Sequence, residues 1–239
     1  MSSLAQLLEQ INEWDQKVSV RLNGMGGKFI TYGLRIVSFL GRETIWLLLI
    51  VFYIFIWFDP LMFMNIGIAY LIGLMIIVPM KIWINRRRPF RMIAEIRASG
   101  RQPTSGSFPS WHAYNIVSQS IIFLYIFPNT ILLIVSLISI ITVSFSRVQM
   151  GVHYPSDVIM GIFLGIIGGF GTIIMLSPLF LRLFNLIQKM NPGLINNILY
   201  TINPLLFHNV LYFLVCILLF GGILLLGGYN FLKEIIPKK

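Results

Sequence analysis

The chain contains little cysteine, little histidine and few charged residues, and each shortage excludes some classes of protein. Its single cysteine, Cys216, lies inside an apolar run, which excludes a disulfide framework and a cysteine-based metal site. Three histidines leave little material for a metal centre, and we predict neither a metal nor another cofactor. Charged residues make up only 11% of the 239 residues, against roughly 25% in soluble domains, and hydrophobic residues make up 57%. We therefore expect an integral membrane protein.

Acidic residues are also scarce, at 8 against 18 lysines and arginines, which gives a net charge of +10. The basic residues are scattered between apolar runs, and this fits lipid headgroups and anionic substrates better than nucleic acid. The expected partners are therefore the lipid bilayer and an anionic membrane substrate. We do not expect nucleic acid as a partner. The composition does not decide the oligomeric state.

Long apolar runs predict an all-α fold, a polytopic membrane helical bundle of about six spans. The predicted spans are one that begins near Val37 and ends at Phe58, followed by residues 61–80, 113–127, 131–145, 158–176 and 209–228. In the fifth span, the spacing of Gly161 and Gly165 favours the close approach of a neighbouring helix.

The two ends of the chain have a different pattern. An amphipathic N-terminal helix that lies at the membrane interface is predicted by the helical spacing of Leu4, Leu7, Leu8, Ile11 and Trp14. We expect a single membrane domain over residues 1–239, with interfacial helices in 1–43 and the catalytic core in 44–176. Residues 177–239 should add an interfacial helix, a turn at Asn191-Pro192-Gly193 and an extra C-terminal span.

The order of the spans places three polar clusters on the same membrane face. The first contains Lys81 and Arg88, followed by Pro89; seven residues are two helical turns, so both cations point the same way. Arg86 and Arg87 do not lie on the helical face that Lys81 and Arg88 share, and we expect them to contact headgroups or solvent. Snorkelling of interfacial cations is the simpler explanation of the first cluster.

The second cluster is Phe108-Pro109-Ser110-Trp111-His112, at the start of the third predicted span. Ser110 offers a hydroxyl and a backbone N–H to an anion at the positive end of a helix. His112 is placed to protonate a leaving oxygen. A helix N-cap at Ser110 and a satisfied polar side chain at His112 are the structural alternatives.

The third cluster joins Arg147, His153 and Asp157. A histidine and an aspartate four residues apart share a helical face, so the carboxylate can hold one ring N–H and leave the other nitrogen as a base or nucleophile. Arg147 is a planar, permanent cation suited to phosphate. A capped helix start with an incidental ion pair is the alternative.

Together, the motifs Lys81-x6-Arg88-Pro89, Pro109-Ser110-x-His112 and Ser146-Arg147-x5-His153-x3-Asp157 resemble the signature of the phosphatidic acid phosphatase type 2 (PAP2) family. The resemblance covers about residues 29–176. It implies a helical bundle in which a histidine attacks phosphorus without a metal.

Carried over by position, the resemblance implies a role for each residue. His153 would be the nucleophile that forms a phosphohistidine, with Asp157 orienting it and His112 acting as general acid. The phosphoryl oxygens would be bound by Lys81, Arg88, Ser110 and Arg147. Trp111 occupies a phosphate-binding position where the family usually has glycine. We predict that its backbone is ordinary and its ring faces the lipid; an altered pocket is the alternative.

The implied function is hydrolysis of a terminal phosphate from a membrane lipid phosphate or diphosphate. Candidate substrates are an isoprenyl diphosphate, phosphatidic acid, phosphatidylglycerol phosphate and a phosphorylated glycolipid. A lipid phosphotransferase that uses the same site and a non-catalytic transporter of anionic lipids are the alternatives.

The expected location is the cell membrane, with several spans. Most of the 18 basic residues fall on the face of the polar clusters, which favours a cytoplasmic site under the positive-inside rule. The family resemblance implies an extracytoplasmic site instead, and we adopt that prediction.

Overall fold

The computed structural model describes residues 3–100, 102–190 and 202–235. Its helices are α1 (Ser3–Leu22), α2 (Gly27–Ser38), α3 (Glu43–Val51), α4 (Pro60–Ile84), α5 (Pro89–Met92), α6 (Trp111–Ile126), α7 (Thr130–Gln149), α8 (Pro155–Gly171), α9 (Ser177–Met190), α10 (Leu205–His208) and α11 (Val210–Ile235). Within these described residues no β-strand forms, and one isolated bridge joins Trp57 and Ile202. The prediction of an all-α protein is confirmed.

Several helices are long and apolar enough to cross a membrane. Four stretches meet these criteria: Pro60–Met92, Thr130–Gln149, Pro155–Ile187 and Val210–Tyr229. Gly27–Gly41 and Glu43–Ile56 meet at a bend of 42° and give a fifth span if the pair is counted as one. The third predicted span corresponds to α6, whose 16 residues extend about 24 Å, less than the ~30 Å hydrocarbon core. A polytopic membrane protein is confirmed, and the count of about six spans stays a prediction.

The N-terminal helix α1 forms where its periodicity predicts it. The five apolar residues that define the predicted amphipathic pattern remain exposed, and Asp15 and Ser19 are buried instead. Polar side chains therefore connect this helix to the bundle. Its position at a membrane interface stays a prediction.

Helix α6 lies at the centre of the bundle and packs against α4, α7 and α8. Glycines on α8 allow the close contact: a Cβ atom at Gly161 would lie 2.5 Å from the carbonyl oxygen of Ser110, and one at Gly165 2.8 Å from that of Tyr114. The predicted role of these two glycines is confirmed. The contact holds α8 close to the first turn of α6.

The core and the bend of the first span are fixed by apolar and polar contacts together. The apolar cluster joins α3, α4, α6 and α7 through Trp46, Met62, Ile66, Ile122 and Val143. Within it, the amides of Asn115 and Gln119 donate to the carbonyls of Gly41, at 3.2 Å, and Ile66, at 3.1 Å. Amide hydrogen bonds thus tie α6 to the bend and to α4.

The C-terminal part differs from the expectation at one boundary. Residues 177–190 form α9, which continues the apolar stretch of α8 through a π-helical turn at Thr172–Leu176, so the fifth span does not end at residue 176. The predicted turn at Asn191-Pro192-Gly193 lies outside the described residues. The predicted last span corresponds to α11, and the proposed division of the chain into core and flanking parts stays a prediction.

Candidate active site

A cavity of about 500 Å³ brings the three polar clusters together. Lys81 reaches it from the last turns of α4, His112 from the first turn of α6 and Arg147 from the last turn of α7. Arg88 and His153 reach it from the loops that follow α4 and α7. Lys81 and His153, 72 positions apart, therefore line a single space, as the order of the spans predicts.

Arg88 is the cation that lies beside the predicted nucleophile. It is 3% exposed, and its Nη1 lies 3.3 Å from Nε2 of His153. The same Nη1 donates to the carbonyl of Val152 at 2.8 Å, and Nε donates to that of Ser105 at 2.9 Å. Because a guanidinium has only donors, the facing Nε2 of a neutral ring is the nitrogen without a proton. Its lone pair is directed toward the cationic side of the site.

The other two predicted cations are held by the surrounding backbone and by α2. The ammonium of Lys81 donates to the carbonyls of Gly106, at 2.9 Å, and Ser107, at 3.3 Å. Arg147 is 8% exposed and donates from Nη1 to the hydroxyl of Ser38 at 2.8 Å. Lys81, Arg88 and Arg147 are therefore preorganised cations in a largely buried site, which is what an anion-binding cavity needs.

Asp157 lies beside the imidazole, although a different residue is its main partner. Its Oδ2 is 3.5 Å from Nδ1 of His153, longer than a hydrogen bond, and accepts the backbone N–H of Tyr154 at 2.9 Å. Its Oδ1 accepts from Nη1 of Arg86 at 2.8 Å. The expectation that Arg86 meets headgroups or solvent is wrong, because its side chain is only 22% exposed and joins two buried carboxylates.

Burial and the three cations hold His153 in its neutral form. Desolvation in the site, followed by the charges of Arg88, Lys81 and Arg147, lowers the pKa of His153 well below its usual 6.5. The neutral ring is the form that attacks an electrophile. The remaining proton on Nδ1 faces Asp157, whose carboxylate favours that tautomer.

Ser110 forms hydrogen bonds mainly within the protein. It is fully buried as the N-cap of α6, its hydroxyl accepts the N–H of Ala113 at 3.5 Å, and its own N–H donates to the carbonyl of Asp157 at 2.9 Å. The expectation that this N–H is available to an anion is therefore wrong. A role for the hydroxyl in phosphate binding stays a prediction.

Trp111 begins α6 with ordinary helical backbone, as predicted. Its ring stacks on Tyr114 at 5.8 Å between centroids and meets Tyr70 edge-on at 5.5 Å. The ring also lines the cavity, which corrects the expectation that it faces the lipid. Aromatic packing holds the indole as one wall of the site.

Sequence reasoning missed further cavity residues at the bend of the first span. Arg42, Glu43 and Thr44 line the cavity, and Arg42 is 8% exposed at the N-cap position of α3. Their signal in the sequence is a polar Gly-Arg-Glu-Thr segment within apolar surroundings.

In the described part of the chain, no three His, Cys, Asp or Glu side chains are grouped to hold a metal ion.

The comparisons with known proteins agree on one family. The PAP2 superfamily sequence model matches residues 62–181, about half of the chain. The chain belongs to the PAP2 superfamily.

Two curated relatives share part of this sequence. An undecaprenyl-diphosphatase of Sulfolobus acidocaldarius is 30% identical over 125 residues, which are 52% of this chain and 60% of that protein. A lipid A 4'-phosphatase of Bacteroides thetaiotaomicron is 37% identical over 73 residues, 30% of this chain and 31% of that protein. The chain thus spans less than two thirds of the length of these relatives.

Two crystal structures share the fold. LpxE of Aquifex aeolicus matches with a TM-score of 0.59 and 18% identity, over 66% of this chain and 93% of that chain. A PAP2-type phosphatidylglycerolphosphate phosphatase of Bacillus subtilis matches with a TM-score of 0.56 and 22% identity, over 68% of this chain and 84% of that chain.

Proposed function

We propose that this protein is a lipid phosphatase that removes a terminal phosphate from a membrane lipid phosphate or diphosphate. The observation that carries the proposal is the position of His153, whose Nε2 lies 3.3 Å from Arg88 in a cavity also lined by Lys81, Arg147 and His112. A neutral imidazole, a second imidazole and three cations are the groups that metal-independent phosphoryl transfer uses.

The first half-reaction forms a phosphohistidine. Nε2 of His153 attacks phosphorus, the bond from phosphorus to the leaving oxygen breaks, and His112 gives its proton to that oxygen. Lys81, Arg88 and Arg147 neutralise the charge that spreads over the equatorial oxygens. In the second half-reaction His112 takes a proton from water, the water oxygen attacks phosphorus, and the P–N bond breaks to release phosphate.

The cavity also supports an amphiphilic substrate. Its cations adjoin an apolar wall from α4, formed by Leu74, Ile77, Val78 and Ile82. A phosphate group can lie among the cations while the tail follows α4 toward the bilayer. The candidates are an isoprenyl diphosphate, phosphatidic acid, phosphatidylglycerol phosphate and a phosphorylated glycolipid; the first is the class named for the Sulfolobus relative.

The deciding experiment is phosphate release by purified protein in detergent, with EDTA present, from a panel of these lipids. We expect release by the wild type and none by His153→Ala. Equal release by both proteins would remove His153 as the nucleophile. Turnover that requires an added lipid or sugar acceptor would identify a phosphotransferase, and lipid transport that survives His153→Ala would identify a transporter.

A further inference from the structure

Arg86 lies between two buried carboxylates from distant parts of the chain. Its Nη2 is 2.7 Å from Oδ2 of Asp15 and its Nη1 is 2.8 Å from Oδ1 of Asp157, and both aspartates are fully buried. The guanidinium carbon also lies 4.0 Å from the ring centroid of Tyr154. A planar side chain with donors on two edges is suited to hold two carboxylates in fixed orientations.

Asp15 connects α1 to the turn that carries Asp157. Its Oδ1 accepts the backbone N–H of Ser156 at 2.9 Å, and its Oδ2 accepts the Ser156 hydroxyl as well as Arg86. The nitrogen at Ser156 is one of the N–H groups that the first turn of a helix leaves without a helical partner. The N-terminal helix thus supplies a charged cap to α8.

The orientation of Asp157 depends on this arrangement. Arg86 holds Oδ1, so Oδ2 points toward the Tyr154 N–H and toward Nδ1 of His153, 3.5 Å away. If Arg86 shifts, the Tyr154 N–H alone holds the carboxylate, and Asp157 no longer keeps its fixed position facing Nδ1. The geometry of the nucleophile is therefore linked through two side chains to α1.

Stability alone is a poor explanation of three charges at this place. Burying ion pairs carries a desolvation penalty that well-packed apolar residues avoid. Beside the network, a groove of about 800 Å³ separates the apolar side chains of α1 from those of α8, including Leu8, Ile11, Ile159 and Phe163. Beside this groove, the charged network is what joins α1 to the first turn of α8.

We propose that Asp15 and Arg86 are positioning residues for the nucleophile, acting through Asp157, and that α1 is part of the active-site scaffold. The inference rests on the proposed function, since His153 is the group that they position. It also extends the site to a helix outside the segment that matches the family.

Asp15→Asn is the central variant, because asparagine keeps the shape and an acceptor for the Ser156 backbone N–H, and replaces the charged oxygen that binds Arg86 by an NH2 group. We expect kcat to fall about tenfold, by analogy with residues that orient metal-bound histidines, with little change in KM. Glu13→Gln is the matched control: Glu13 lies on the same helix, is 63% exposed and pairs with Lys17. It should retain full activity, and the melting temperatures show whether either variant is misfolded.

Arg86→Lys and Arg86→Gln form a second pair in case the loss of Asp15 disrupts the fold. Lysine keeps the charge but cannot bind both carboxylates as a planar fork, so we expect it to recover only part of the kcat lost by glutamine. If Arg86→Gln is as active as the wild type, or if Asp15→Asn matches Glu13→Gln, the inference is overturned.

Orthovanadate binding, measured by calorimetry on the same proteins, separates this inference from the proposed function. Removing a negative charge near a cationic site should by charge alone tighten anion binding. We expect Asp15→Asn to bind vanadate several-fold more weakly than the wild type, because the nucleophile is misplaced. Equal or tighter binding would overturn the inference. Absence of phosphate release by the wild type would instead count against the proposed function, and vanadate would still report on Asp15.

Discussion

Gly41 lies directly against His112. A Cβ atom on residue 41 would be 2.8 Å from the Cβ of His112 and 3.1 Å from its Cα, and the Gly41 carbonyl accepts the Asn115 amide at 3.2 Å. The bend of the first span therefore fits against the first turn of α6, where the predicted general acid is located. The Cβ and Cα of His112 are not the end of a flexible side chain, so they can move away only if the backbone of α6 moves.

Gly41→Ala should consequently impair catalysis. Overpacking of this kind costs about 1–3 kcal/mol in stability, and a displacement of a catalytic group by about 1 Å can lower the rate by 10². We expect kcat for lipid phosphate to fall at least tenfold. The control is Gly33→Ala, since residue 33 is exposed in α2 with nothing within 4 Å of its added Cβ. Normal activity of Gly41→Ala would show that α6 is not constrained by the bend.

The two histidines should respond differently to the leaving group. His112→Ala removes the proton donor, so release from a lipid monophosphate should fall by roughly 10²–10⁴, and by much less for an activated aryl phosphate. His153→Ala should abolish release from both substrates, because no nucleophile remains. Steady-state rates on the two substrates test this. An equal loss for His112→Ala on both would assign it to binding instead of acid catalysis.

The low pKa of His153 predicts the acid limb of the pH profile. Since burial and the nearby cations favour the neutral nucleophile, kcat/KM should begin to fall only below pH 6.5. Arg147→Gln removes one of these cations, so the pKa of His153 should rise and the acid limb of the residual activity should move to higher pH. Asp157, 3.5 Å from Nδ1, is unchanged in both proteins. An unmoved limb would mean that another group controls it.

The convergence of the three motifs was predictable from sequence, but the role of Arg86 was not. Counting spans is enough to place Lys81, His112 and His153 on one membrane face, because each apolar run carries the chain to the other side of the membrane. Arg86 is different: its partner Asp15 is 71 residues away, in a helix whose amphipathic pattern predicts a position at the membrane interface. No local period reveals a contact between two such elements, so Arg86 looked like a surface cation.

The roles of Ser110 and Arg42 could not be predicted for a similar reason, because they depend on contacts that form only in the folded structure. An N-cap serine and an anion-binding serine have the same sequence signal, and only the structure shows that the Ser110 N–H already binds the Asp157 carbonyl. Arg42 lies in an interrupted span, and its place in the cavity follows from the 42° bend.

Trp111→Gly tests the departure from the family pattern. The substitution removes an indole that stacks on Tyr114 and meets Tyr70, so we expect lower thermal stability and no rise in phosphate release beyond about tenfold. Trp111→Phe keeps an aromatic wall and should lie close to the wild type. A larger rise for glycine, with stability retained, would indicate that tryptophan restricts the approach of phosphate to the backbone.

Cysteine labelling on intact cells decides the side of the membrane on which the site lies. Ser105 is exposed and lines the cavity, and Thr130, at the start of α7, is exposed at the opposite end of that helix from Arg147. In a Cys216→Ser background, we expect an impermeant reagent to label Ser105→Cys at once and Thr130→Cys only after lysis. The reverse pattern would place the site in the cytoplasm, as the positive-inside rule favours. The substrate would then have to present its phosphate from the inner leaflet, and every lipid phosphate confined to the outer leaflet would be excluded.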